Sequence, residues 1–268
     1  MSTARRFALA GYESKGRLKG SLALSVGISL LGLMMVAFFP SVKASGADLQ
    51  AYVDSLPPAF QQAFGIEAFT TMGGFLAAEL YVFGWVLLLG LYFAYRAGGL
   101  IARDIERGRM DTLLATPLSR TDVVLQTFAS LLVPVVVVNT VAFLAVYGGI
   151  LAVGETIDVA NLAMVHLLSV PYLLACAAIG LLLSVVFQRA DLAERGGLGA
   201  VFALFLVETV AASTEFDELA LLSPTHYYDP TAVLVHSEYD IVGAGILLLA
   251  TAALVAASVL WFRRADVR

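Results

Sequence analysis

The chain has one cysteine, three lysines and three histidines among 268 residues. The lone thiol, Cys176, forms no internal disulfide and supplies no paired-cysteine metal site. Inside an apolar run it reads as a small buried residue. His166, His226 and His236 make no HExxH pattern. His226 with Asp229, and His236 with Glu238 and Asp240, form only weak cation-collecting clusters, for which a solvated acidic loop is the simpler reading. No Gly-x-Ser-x-Gly elbow is present. The P-loop is missing too. Gly11-Tyr12-Glu13-Ser14-Lys15-Gly16-Arg17-Leu18 has its glycine spacing, but Arg-Leu stands where the phosphate cradle requires Lys-Ser or Lys-Thr. Catalytic, cofactor-binding and metal residues are therefore not expected on this chain. Basic patches interleaved with aromatics are also lacking, which argues against a nucleic-acid partner.

Positive charge is scarce in a second sense. Of sixteen Lys and Arg, only Lys43 falls outside the segments 1–20, 96–122, 188–196 and 263–268. What fills the remainder is apolar: 60% of the residues are hydrophobic, and the mean hydropathy is +0.87. The apolar residues gather into runs of roughly 20, the length that crosses a bilayer as a helix. Six spans fit, at about 22–39, 75–95, 127–149, 162–187, 197–213 and 241–262. In lipid such segments must be helical, because backbone groups have to bond within their own segment. The expected fold is all-α and polytopic, one membrane domain over 1–268. Loops rich in Lys and Arg stay cytoplasmic, so both termini are expected inside and the acidic loops outside. Thirteen Arg against three Lys, with an acidic exterior, agrees with a high-salt host.

The run 22–39 is longer than a 7–15-residue signal core and reads as a retained span. Pro134 and Pro171 are expected to kink the third and fourth spans. Gly196-Gly197-Leu198-Gly199 opens the fifth, where small residues allow close helix approach. Apolar residues at 49, 52, 53 and 56, then Pro57-Pro58 and a second stretch to Phe64, predict an amphipathic pair on the outer face. The outer segment 214–240 is expected to hold short helices and turns.

Ionisable residues inside a span are costly and mark routes or partners. Glu208 in the fifth span and Glu79 near the outer end of the second are candidates for a transport route, or else reach water at the outer boundary. His166 reads as interfacial, and mid-span Asn139 as a bridge between helices.

The cytoplasmic segment 96–122 has charge on one side and Leu100, Ile101, Ile105, Met110, Leu113, Leu114 and Leu118 at helical spacing. It predicts two short surface helices divided by Gly108, with Pro117 at the end of the second and Ser119 or Thr121 capping the next helix. The stretch Glu106-Arg107-Gly108-Arg109-Met110-Asp111-Thr112-Leu113-Leu114-Ala115-Thr116-Pro117-Leu118-Ser119-Arg120 resembles the acidic-x-Gly-x-x-acidic-x-Leu-Leu-x-x-Pro-x-Ser-Arg segment of ABC transporter type-2 permeases, in particular short six-span subunits that pair with a separate ATPase chain. Phe262-Arg263-Arg264-Ala265-Asp266 is similar to that family's ending. Arg109 departs from the pattern, which commonly has Thr there.

The resemblance implies a permease subunit of an ATP-driven ABC transporter, an exporter in the plasma membrane. Arg103, Glu106, Gly108, Asp111, Leu114, Pro117 and Arg120 would form the ATPase-coupling region. It further implies two ATPase subunits carrying ATP-Mg, and a second permease copy in a homo- or heterodimer, all embedded in membrane lipid. The competing reading is an ATP-independent, ion- or proton-coupled carrier that uses Glu208, against which no internal repeat is visible. A scaffold without transport is a third.

Overall fold

The computed structural model describes residues 8–45, 51, 55–57, 68–211 and 217–265. Helices α1 (Ala8–Ala44), α2 (Met72–Glu106), α3 (Arg109–Leu114), α4 (Arg120–Ala129), α5 (Leu132–Ala152), α6 (Val159–Phe187), α7 (Ala190–Ala211), α8 (Pro230–His236) and α9 (Ile241–Arg264) follow in order. Two 3-10 segments, Asp217–Leu222 and Pro224–Tyr227, lie between α7 and α8. No strand occurs among the described residues. The amphipathic pair expected over 48–64 falls largely outside them.

Side-chain caps set where the helices begin. Thr71 accepts from the amide of Gly74 at 3.1 Å. Asp158 accepts from Ala160 at 2.7 Å and Asn161 at 3.2 Å. Asp240 accepts from Gly243 at 2.6 Å. Each satisfies an amide that the first turn leaves without an intrahelical partner. Asp229 does the same for Thr231 and Ala232, so the acids beside His226 and His236 include two helix caps.

Five helical stretches are long and apolar enough to cross a membrane: Ala8–Ala44, Met72–Glu106, Arg120–Ala152, Val159–Phe187 and Ile241–Arg264. The segment expected as a further span, 197–213, lies in α7. That helix also carries Asp191, Glu194, Arg195 and Glu208, and it is not one of the five.

The most enclosed helices are α2 and α6, which pack on each other. Around them α7 rests on both, α9 on α6, and α1 on α5. Glycine makes the central contact possible. A Cβ on Gly180 would collide with the carbonyl oxygen of Ala94, and one on Gly197 would come within 2.9 Å of the same oxygen. Across α1 and α5, a Cβ on Gly32 would lie 2.8 Å from the Val146 side chain.

Part of α2, Ala77–Leu89, is a π-helix, a wide coil that is rare outside functional or strained sites. It turns Tyr81 and Trp85 inward onto a buried polar knot. Asn139 Oδ1 accepts from Trp85 Nε1 at 3.0 Å and Ser169 Oγ at 2.9 Å. It also faces His166 Nδ1 at 3.0 Å, while Tyr81 Oη lies 2.9 Å from His166 Nε2. An amide oxygen only accepts, so His166 carries its proton on Nδ1 and accepts from Tyr81. His166 is thus not interfacial; it is 5% exposed and, with Asn139, joins α2, α5 and α6.

The prolines behave differently from each other. Around Pro134 the helix is broken at 130–131, so Pro134 falls in the first turn of α5, where a missing N–H is harmless. Pro171 stands inside α6, which continues unbroken past it.

Candidate functional site

The bundle has two chemically distinct ends. At one, the starts of α1 and α7, the turn after α2 and the tail of α9 meet. The amide of Ala10 donates to Gln126 Oε1 at 3.2 Å, and Arg120 Nη1 donates to the carbonyl of Phe262 at 2.9 Å. Among the described residues, this end holds every Lys and Arg but Lys43. At the other, Lys43 pairs with Glu155 at 2.8 Å, and Glu208 Oε2 accepts from Thr225 Oγ1 at 3.2 Å.

The segment after α2 is built around Gly108. Its φ of +65° lies in the left-handed region, which glycine enters without the Cβ penalty. The amide of Gly108 bonds back to Ile105 O at 3.0 Å and that of Arg107 to Arg103 O at 3.2 Å. Together these bonds close α2, and the chain turns directly into α3. The first of the two expected surface helices is therefore no separate element. Residues 100–105 are the last turns of α2, and Leu100, Ile101 and Ala102 are buried there. Their periodicity reflects packing against the bundle rather than a helix lying on a surface. Ser119 starts α4 with a capping box, its side chain accepting from the Asp122 amide at 3.0 Å while Asp122 accepts from the Ser119 amide at 3.1 Å.

α3 has an inner and an outer side. Met110 is 1% exposed and anchors it, burial worth about 2 kcal/mol. Leu113 and Leu114 are half-buried against the core. Arg107, Gly108, Asp111, Thr112, Thr116 and Pro117 are exposed. The expected coupling residues consequently divide into three groups. Gly108, Asp111 and Pro117 face outward. Leu114 seats the segment. Arg103, Glu106 and Arg120 are engaged within the chain. Arg103 forms an ion pair with Glu194 of α7. Glu106 Oε1 accepts from the Ala190 amide at 2.9 Å, which caps the first turn of α7. Arg120 holds the carbonyls of Phe262 and Ala265 and lies 5.6 Å from the centre of the Phe262 ring.

Arg109, the residue that departs from the family pattern, makes the remaining connection. It pairs with Glu13 of α1 and with Asp104 at 3.3 Å, and lies 6.0 Å from the Tyr12 ring centre. Partial burial opposes its charge, yet the hydrogen bond to Glu13 and the neighbouring carboxylate of Asp104 hold its pKa above the ordinary arginine value. Glu13 also meets Arg17 at 3.3 Å, and Arg17 donates through Nε to Ser130 at 2.8 Å. The turn at Gly108 is thereby tied to α1 and α7, and Arg120, the first residue of α4, ties the end of the segment to α9. Sequence reading alone passes over Glu13, although a signal exists: it is the only acid before Asp48 in a basic segment.

The candidate route residues stand apart from this network. Glu208 is half-buried near the far end of α7, tied to Thr225. Glu79 is exposed on the π-stretch of α2, with no hydrogen-bond partner among the described residues. Nothing joins the two.

A helical bundle with this charged turn calls for comparison with known transporters. A family model described as ABC-2 family transporter protein matches residues 7–267. The chain belongs to the ABC-2 transporter family. No curated protein matches it. An ABC-2 permease is a multi-pass membrane component that works in association with an ABC ATPase, and the segment resembling the family's coupling region is the one whose side chains reach α1, α7 and α9.

Proposed function

We propose that this chain is the permease subunit of an ATP-driven exporter whose ATPase is a separate polypeptide. One observation carries the reading: α3 offers an exposed outer side at Gly108, Asp111 and Pro117, while its inner contacts reach α1 through Arg109, and the flanking residues Arg103, Glu106 and Arg120 reach α7 and α9. A partner pressing on that side would move the ends of several helices at once. ATP-Mg binds and is hydrolysed on the partner, and this chain contributes the mechanical receiver. Two permease copies, identical or paralogous, would combine with two ATPase subunits in the plasma membrane.

A sixth crossing is part of this proposal. α7 runs from Ala190, held by Glu106, to Glu208, held by Thr225. Its 22 residues span about 33 Å at 1.5 Å per residue, enough for the hydrocarbon layer. With α7 as the fifth crossing, α1 begins and α9 ends on the same side, in keeping with the Ala10–Gln126 and Arg120–Phe262 contacts. The positive-inside rule makes that side cytoplasmic. Glu208 and Glu79 lie toward the opposite, acidic side, where Glu208 would border the exit of a route.

The reading is tested by co-expressing the chain with an ATPase reading frame adjacent to its gene. Co-purification with a stimulated ATPase rate supports it. Transport by the chain alone, dependent on pH and lost in Glu208→Gln, would favour the ATP-independent carrier.

A further inference from the structure

A cleft of about 630 Å³ opens at the basic end between the first turns of α1 and the last turns of α2. Six cations line it: Lys15, Arg17, Arg96, Arg103, Arg107 and Arg109. The lining has two carboxylates, Glu13 and Asp104, and both are already used. Glu13 serves Arg17 and Arg109, and Asp104 serves Arg109. Arg103 is taken by Glu194. Lys15, Arg96 and Arg107 have no ion pair among the described residues. Like charges gathered around one cavity repel, and an anion between them removes that cost.

The cleft does not end at its charged mouth. A smaller cavity of about 100 Å³ shares Gly16, Arg17 and Arg96 with it and is otherwise walled by Gly20, Ser21, Tyr92, Phe93, Leu131 and Pro134. Phe93 and Leu131 are fully buried, so the path turns apolar as it leaves the basic end. On α1 the wall is recessed. Gly16, Gly20 and Gly27 fall at spacings of four and seven, and a Cβ on any of them would meet nothing within 4 Å. That spacing keeps them on one helix face.

A soluble anion would be served by the mouth alone. Cations at the mouth, apolar walls behind them and an open helix face beyond match a molecule with a phosphate at one end and hydrocarbon at the other. We propose that this cleft binds an anionic phospholipid, its phosphate held between Arg17 and Arg96 and its acyl chains laid along the glycine face of α1. Guanidinium groups suit the task because their donors match phosphate oxygens in pairs, and basic pockets between membrane helices favour such head groups. The proposal requires only that the basic end lie at a bilayer surface. It does not depend on an ATPase partner, so either reading can fail without the other.

The test uses the full chain purified in a zwitterionic detergent, titrated with phosphatidylglycerol, phosphatidylcholine or inorganic phosphate and read by native mass spectrometry. Phosphatidylglycerol is expected to bind selectively. Arg96→Gln is expected to weaken it roughly fivefold, the worth of one cation near a lipid surface. Gly16→Trp, which keeps every charge and fills the recess, is expected to weaken it at least as much. Arg263→Gln, at the same end but outside the cleft, is expected to leave it unchanged. Size-exclusion chromatography checks that each variant is folded, and Arg96→Gln carries the test should Gly16→Trp fail to fold. Equal binding of both lipids, an equal loss in Arg263→Gln, full retention in Arg96→Gln, or displacement by inorganic phosphate would each overturn the proposal.

Discussion

The guanidinium of Arg109 pairs with the carboxylate of Glu13, joining positions 96 residues apart. The contact fastens the first turn of α3 to α1, and Arg17 and Asp104 complete it. Arg109 is 40% exposed, so water screens the pair and its worth is about 0.5–1 kcal/mol. That corresponds to roughly a fivefold change in how often α3 is docked. Arg109→Gln and Glu13→Gln are each expected to lower partner-stimulated ATPase activity by up to that factor while leaving membrane insertion intact. A double-mutant cycle checks the link. The double variant should lose less than the sum of the two single losses, because the Arg109–Glu13 contact is removed in each, while Glu13–Arg17 and Arg109–Asp104 are each lost only once.

Gly108 turns the chain with φ +65°, and a Cβ placed there would meet nothing within 4 Å. A substitution there acts through the backbone alone. Gly108→Val is expected to cost about 1–2 kcal/mol, and Gly108→Asn much less, since Asn enters the left-handed region readily. Thermal unfolding of both variants, with ATPase stimulation measured alongside, distinguishes this local strain from loss of a partner contact.

Close packing at the centre predicts a sharper effect. A side chain at Gly180 meets the Ala94 carbonyl, and backbone cannot step aside as a flexible side chain can. Gly180→Leu is expected to abolish the folded, monodisperse species on size-exclusion chromatography. Gly148→Leu, where nothing lies within 4 Å, is expected to leave the profile as it is.

Asn139 Oδ1 gathers donors from Trp85, His166 and Ser169. Asn139→Leu fills similar volume but strands the Trp85 and His166 donors, while Ser169 keeps the carbonyl of His166 at 2.7 Å, at about 1–3 kcal/mol for the site. The unfolding temperature should fall accordingly. A change in the emission of Trp85 should accompany it, because its indole N–H loses its partner.

The membrane segments were legible because hydropathy is a local property: each run of apolar residues declares itself without its neighbours. The proposed fifth crossing is the least distinct, since Asp191, Glu194, Arg195 and Glu208 share α7 with its apolar residues, and α7 is not among the five stretches that qualify by length and hydropathy. The turn at Gly108 could be placed, and the cap narrowed to Ser119 or Thr121, because glycine and a capping hydroxyl act within a few residues; the capping box shows it to be Ser119. The partners of Arg103, Glu106, Arg109 and Arg120 could not. Glu194, Ala190, Glu13 and Phe262 lie 84 to 142 residues away, and no periodicity encodes such pairings. The same limit explains why 100–105 resembled a separate surface helix. Spacing reveals an apolar face but not which helix it belongs to, and only the packing of α2 resolves that. The buried knot at His166 escaped for the same reason, because Tyr81 and Trp85 reach it from the π-stretch of another helix.

The most direct test asks what touches the outer side of α3. A photo-crosslinking residue placed at position 111, exposed on that side, is activated in membranes holding the chain and its co-expressed ATPase, with position 155 at the opposite end as the comparison. The account predicts a covalent adduct with the ATPase from 111 and none from 155. An adduct from 155 alone, or none from 111 in a complex that still hydrolyses ATP, would contradict it.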